Sequence, residues 1–178
     1  MPTLLYFKLS VIGSEFDAAS FFKEAMIVGA RADISYKVVP QGYCKAYQRG
    51  NVGRWFSPVY NYFLKNPDRD PKTEDDPEHQ WSVISEFLEN YKSLRILIDR
   101  YRTDTTEVTF HLVYGVDENE EASGMYIPSA VISLLSGLDA TISIGYISKE
   151  LYFSSCARRD PVTGDLQRPT PSWIKPIF

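Results

Sequence analysis

From Thr3 to Ile12 the apolar residues occupy both parities of an extended stretch: Leu5, Phe7, Leu9 and Val11 on one, Leu4, Tyr6 and Ile12 on the other. A strand points successive side chains to opposite faces, so a run apolar on both belongs in the middle of a sheet. Gly13 ends the run. Ser14 followed by Asp17 has the spacing of a capping box with Asp in place of Glu, and Ala18, Phe21, Phe22, Ala25 and Met26 then keep a helical period up to a stop at Gly29. Ala32, Ile34, Tyr36 and Val38 alternate with polar residues as on a second, half-buried strand. Strand, helix, strand is the first unit.

A second unit has the same plan. Val108 to Tyr114 reads as a strand, with His111 on the face opposite Val108, Phe110, Leu112 and Tyr114. An acidic loop from Asp117 to Glu121 follows, and Pro128 opens a helix at its first position with Val131, Leu134, Leu135 and Leu138 on the buried side. A fixed offset of 108 residues pairs Gly29 with Gly137, Ala32 with Ala140 and Ile34 with Ile142, a faint internal repeat. Between the units, Trp81, Ile84, Phe87, Leu88, Tyr91, Leu94, Ile98 and Tyr101 recur at spacings of three and four and predict one long amphipathic helix. Before it, Asn66 to His79 carries three prolines and six acidic residues and predicts a solvated loop.

At 178 residues the chain has the size of one domain. The expected fold is α+β: a mainly antiparallel sheet with helices packed on one face, built from two pseudo-symmetric strand–helix–strand units over residues 1–153, with a Pro-rich extended tail over residues 154–178. No apolar run reaches the roughly 18 residues of a membrane helix, so no membrane partner is expected and a cytoplasmic location is. Nineteen basic against twenty-three acidic side chains give a net charge of −4, which disfavours nucleic acid because phosphate neutralisation needs a concentrated positive face.

Few residues offer chemistry. His79 and His111 are the two histidines and Cys44 and Cys156 the two cysteines, without metal-ligand spacing; no metal and no cofactor is expected. Arg49-Gly50-Asn51-Val52-Gly53-Arg54 invites a phosphate reading but lacks the Lys and Ser or Thr of a P-loop, and a tight loop or bulge fits it better. The acids Glu74, Asp75, Asp76 and Glu78 lack the glycine and alternating oxygens of a calcium loop. The unusual feature is aromatic content of 14%, with seven aromatics between residues 43 and 63 interleaved with Lys45, Arg49 and Arg54. Tyr, Trp and Arg are enriched at interface hot spots, although a small sandwich also needs aromatic packing in its core.

Several strings resemble the bacterial domain-of-unknown-function family 4279 over about residues 3–148. They are the opening strand followed by Phe16-Asp17 and a helix, then Tyr47-Gln48-Arg49-Gly50-Asn51, Trp55-Phe56-Ser57, and Ile127 to Leu135 followed by Gly137-Leu138-Asp139-Ala140-Thr141-Ile142-Ser143-Ile144. Tyr47 and Asn51 depart from the family's Trp-x-basic-Gly-Asp string. The resemblance implies a compact α+β fold and no assigned reaction; some small bacterial proteins of this look sit beside toxins as immunity proteins. The functional expectation is therefore a non-enzymatic, protein-binding immunity protein that occludes a cognate toxin, with a regulatory or small-ligand-binding module as the alternative and the oligomeric state open. Its expected contact residues are Tyr43, Tyr47, Arg49, Arg54 and Trp55 as anchors and Asp68, Asp70, Glu74, Asp75 and Asp76 as an acidic rim that steers a basic partner.

Overall fold

The computed structural model describes residues 2–35, 52–65, 76–117 and 126–156. The elements run β1 (Thr3–Ser14), α1 (Ala18–Ala25), β2 (Arg31–Ser35), β3 (Val52–Phe56), β4 (Tyr60–Asn61), α2 (Tyr62–Lys65), α3 (Pro77–Tyr91), α4 (Leu94–Tyr101), β5 (Glu107–Val116), α5 (Ser129–Leu138), β6 (Ala140–Ser148) and α6 (Lys149–Cys156). The strands form one open sheet in the order β2-β3-β1-β5-β6, with the short β4 also on β1. Every pairing is antiparallel except β5 with β6, which is parallel. The chain is thus an α+β fold with a mixed sheet.

β1 lies at the centre, as its two-sided apolar pattern requires, between β3 and β5. Phe7, Leu9 and Val11 of β1, Val108, Phe110 and Leu112 of β5 and Trp55 of β3 form the sheet side of the core. The helix side is Phe21 of α1, Ile84, Phe87 and Leu88 of α3, Leu94 and Ile98 of α4, and Val131, Leu135 and Leu138 of α5, so these helices cover one face. Phe7 joins sheet to helix: Tyr60 stacks on it at 4.7 Å, and Phe87 of α3 meets it edge-on at 5.0 Å. Such pairs add about 0.5–1.5 kcal/mol beyond their buried area. α1 is tied to α4 by Glu24, which accepts from the Tyr101 hydroxyl at 2.8 Å and pairs with Arg100.

The structure revises several local expectations. The cap of α1 is Asp17, whose carboxylate accepts from the Ser20 N–H at 3.0 Å, whereas Ser14 stays in β1 and its N–H donates to Thr105 Oγ1 at 2.8 Å. The single long helix is two: at Lys92 the backbone tightens to bonds three residues apart, Lys92 N–H to Glu89 and Arg95 N–H to Lys92, and α4 departs with its own stripe. Ser93 sits at this break, a residue whose hydroxyl competes with helical hydrogen bonding. Pro77 to His79 are the first turn of α3 rather than loop, because Pro suits a first helical position. Pro128 precedes α5 as its N-cap, and α6 carries helix through Ser154 to Cys156, where extended tail was expected.

The two strand–helix–strand units differ in connection. β5 and β6 are direct neighbours, whereas β3 lies between β1 and β2. The offset of the repeat also fails at the helix exits: Gly29 has φ +79° in a turn, whereas Gly137 lies inside α5, and the left-handed residue there is Asp139. The Gly29–Gly137 pairing is therefore not a structural correspondence.

Candidate functional site

The expected contact residues separate. Tyr43, Tyr47, Arg49, Asp68, Asp70, Glu74 and Asp75 lie outside the described residues. Arg54 is half-buried in β3 opposite Asp33 of β2 and Ile12 of β1, on the sheet face away from the core. Asp76 is the N-cap of α3, its carboxylate accepting from the His79 N–H at 3.1 Å. Trp55 is corrected from anchor to core: it is 0% exposed and meets Phe21 edge-on at 5.3 Å. Its β3 register, opposite Val11 and Ala32, turns it to the helix-covered face. Tyr62 is equally buried, so much of the described part of the aromatic segment is packing. The glycine-rich string continues into β3, where Gly53 faces Gly13 of β1, and this half of it forms strand rather than a phosphate loop.

The sheet face away from the helices is polar and half-buried at its centre. Ser10 Oγ and His111 Nε2 share a hydrogen bond of 2.8 Å across β1 and β5, and Lys8 is the register partner of His111. A serine beside a histidine suggests a nucleophile and its base, but Ser10 is 0% exposed and also reaches the Thr109 carbonyl, so no substrate has access to it. The pair ties the two central strands together. Burial first, and the Lys8 charge second, push the His111 pKa down to about 4. The folded state therefore holds His111 neutral while the unfolded chain binds a proton near the ordinary value of about 6.5. Its contribution is fully present above about pH 6.5 and is lost as the pH falls toward 4. The expected result is that His111→Gln narrows the difference in urea midpoint between pH 7 and pH 4.5; an unchanged difference would remove His111 as its source.

Among the described residues, no group of three or more His, Cys, Asp or Glu side chains could hold a metal ion. A cleft of about 490 Å³ opens between α3 and the residues before β4, with Tyr60, Phe87 and Tyr91 on its walls and Lys65, Glu86 and Asn90 at its polar positions.

Local sequence pattern does not reveal one feature of the fold, the β6 edge. β6 ends the sheet, and its outer side has no strand partner among the described residues. None of its nine residues is fully buried, and Ala-Thr-Ile-Ser-Ile-Gly-Tyr-Ile-Ser contains no charge and no proline. Natural edges are usually blunted by Lys, Pro, bulges or shortness, and this one has none of the sequence devices. Beside it, Ile127, Ile132, Leu135 and Ile142 line a hollow of about 380 Å³ between α5 and β6. Ile132 is 54% exposed and Tyr146 is 39% exposed. The signal was available in Ile142, Ile144 and Tyr146 with no charge between them, but sequence does not say which strand ends a sheet.

Fold and surface together define a mixed-sheet α+β domain with an unblunted edge strand. The chain matches no family model, no curated protein and no solved structure.

Proposed function

We propose that this chain acts by binding another protein along the β6 edge, as an immunity-type protein that occludes a cognate toxin. The observation that supports this reading is the nine-residue, uncharged β6 with its outer side unpaired among the described residues. An extended segment of the partner would add a strand there: main-chain hydrogen bonds would supply affinity and the hollow at Ile132 and Ile142 would take an alternate side chain. The net charge of −4 suits a basic partner, as electrostatic complementarity raises association rates. The toxin context rests on the strings that resemble family 4279. The alternative, a regulatory or small-ligand module, draws on the cleft beside α3.

The test begins with the neighbouring gene. Where it encodes a large protein with a toxic C-terminal domain, co-expression of this chain is expected to restore growth to cells producing that domain. Thr141 and Ser143 are exposed, and Thr141→Lys with Ser143→Lys blunts the edge while giving up only the long hydrogen bonds of the Thr141 hydroxyl to Val108 and Thr109; the urea midpoint checks that the fold is kept. The double variant is expected to weaken binding of the toxic domain by about tenfold or more, the scale of one lost interface hot spot. Protection and affinity unchanged in that variant would overturn the edge as the binding surface; failure of the wild-type chain to protect would overturn the immunity reading.

A further inference from the structure

We propose that the hollow beside Phe56, at the β2 edge of the sheet, binds a small oxyanion, the carboxylate or phosphate of a small molecule, between Lys8 and Arg31. Phe56 of β3 is the register partner of Arg31 on β2 and of Ser10 on β1, so the three share one side of the sheet. Lys8, two residues before Ser10 on β1, sits with its Nζ 4.9 Å from the centre of the Phe56 ring. Lys8, Arg31, Phe56 and Phe22 border a hollow of about 480 Å³ at the β2 end of the sheet, with Asp33 also on its rim. Lys8 thus sits over the ring and Arg31 borders the same hollow. Neither forms an ion pair with a carboxylate among the described residues.

That arrangement sets two like charges side by side, and an anion between them would be attracted by both. Lys8 is half-buried, and burial first, then the Arg31 charge, lowers its pKa. The Phe56 ring face attracts an ammonium, but it leaves the repulsion between Lys8 and Arg31 in place. Asp33 is exposed and stands opposite Arg54 in the β2–β3 register, two residues along from Arg31, at the outer rim. An oxyanion between Lys8 and Arg31 removes the repulsion and uses both donors as they are built: a planar guanidinium fork that matches two oxygens, and a point charge that needs one. The exposed Phe22 and the ring of Phe56 offer apolar surface for the remainder of the ligand. This reading is independent of the β6 edge, which lies at the opposite end of the sheet.

Isothermal titration at pH 7 and low ionic strength, with inorganic phosphate and with benzoate in separate runs, tests the proposal. At least one of them is expected to bind saturably; saturation by phosphate alone assigns a phosphoryl ligand, and by benzoate alone a carboxylate. Lys8→Met and Arg31→Met, each checked by circular dichroism, are expected to weaken that binding by about tenfold or more, the scale of one charge-assisted hydrogen bond. The NMR titration of the Lys8 ammonium is expected to move upward when the anion is present. Absence of saturation with both probes, or affinities unchanged in both variants, overturns the site.

Discussion

Gly53→Ala is expected to yield almost no folded protein. A Cβ on Gly53 would lie 1.8 Å from the carbonyl oxygen of Phe16 and 2.9 Å from its carbonyl carbon. Those atoms are backbone, so no rotamer change relieves the overlap. They are also held in place: the Phe16 oxygen accepts from the Ala18 N–H at 2.9 Å, and Glu15 just before it carries φ 57° in the turn that folds from β1 to α1. Relief would require moving that turn off β3, which displaces Phe16 and Ala18, both core residues. The opposite strand cannot yield either. Gly13 is the register partner of Gly53, and its own Cβ position lies 2.9 Å from the Cα of Thr106, in the turn clamped to β1 by Thr103 and Thr105. Overpacking that side chains can absorb costs about 1–3 kcal/mol; a backbone overlap belongs to the rarer class above about 4 kcal/mol, comparable with a domain's whole margin of about 5–15 kcal/mol. Gly137→Ala is the control. Gly137 is helical with nothing within 4 Å of a built Cβ, so this change is expected to stabilise by about 0.5–1 kcal/mol. Urea midpoints for the two variants check both signs, and a wild-type midpoint in Gly53→Ala would mean that the β1–α1 turn does not lie against β3.

What the sequence discloses is what is set by local period. The two-sided apolar run placed β1 at the centre, the alternation of Val108 to Tyr114 placed His111 on the outer face, and the three-and-four spacing marked the buried residues Ile84, Phe87, Leu88 and Ile98. The order of strands is not local. Nothing in Val52 to Phe56 says that it inserts between β1 and β2, and its glycine-rich start reads equally well as a turn. Gly13 and Gly53 instead admit the connecting turns, at Thr106 and at Phe16, against the paired strands. The contact surface was hidden for a related reason. Aromatic and arginine content is shared by cores and interfaces, so composition between residues 43 and 63 could not separate Trp55, which is buried, from Phe56, which faces outward one residue later. The β6 edge and the Lys8–Arg31 pair arise only once five strands are laid in order, because each depends on a neighbour absent or present across the sheet.

Trp55→Ala separates these two roles experimentally. In an interface, an anchoring tryptophan is exposed in the free protein, and its truncation leaves stability within about 0.5 kcal/mol. In this fold Trp55 is wholly enclosed, with Val11 and Ala32 beside it in register and Phe21 of α1 against its face, so truncation opens a cavity where α1 meets the sheet. The expected loss is about 3–5 kcal/mol, seen as a lower urea midpoint in the absence of any partner. Trp55→Phe refines the reading. The indole Nε1 is buried without a hydrogen-bond partner among the described residues. A phenyl ring keeps much of the packing and removes that unsatisfied donor, so part of the volume lost is offset and the cost is expected to be under about 2 kcal/mol. A large loss for Ala and a small one for Phe is the pattern of an apolar core position. Equal losses for both would mean that the indole N–H is bonded, and no loss for Ala would return Trp55 to the surface. Any fall in partner binding by Trp55→Ala then reports unfolding of the β3–α1 packing, whereas a fall in the Thr141→Lys, Ser143→Lys variant at unchanged midpoint reports the edge itself.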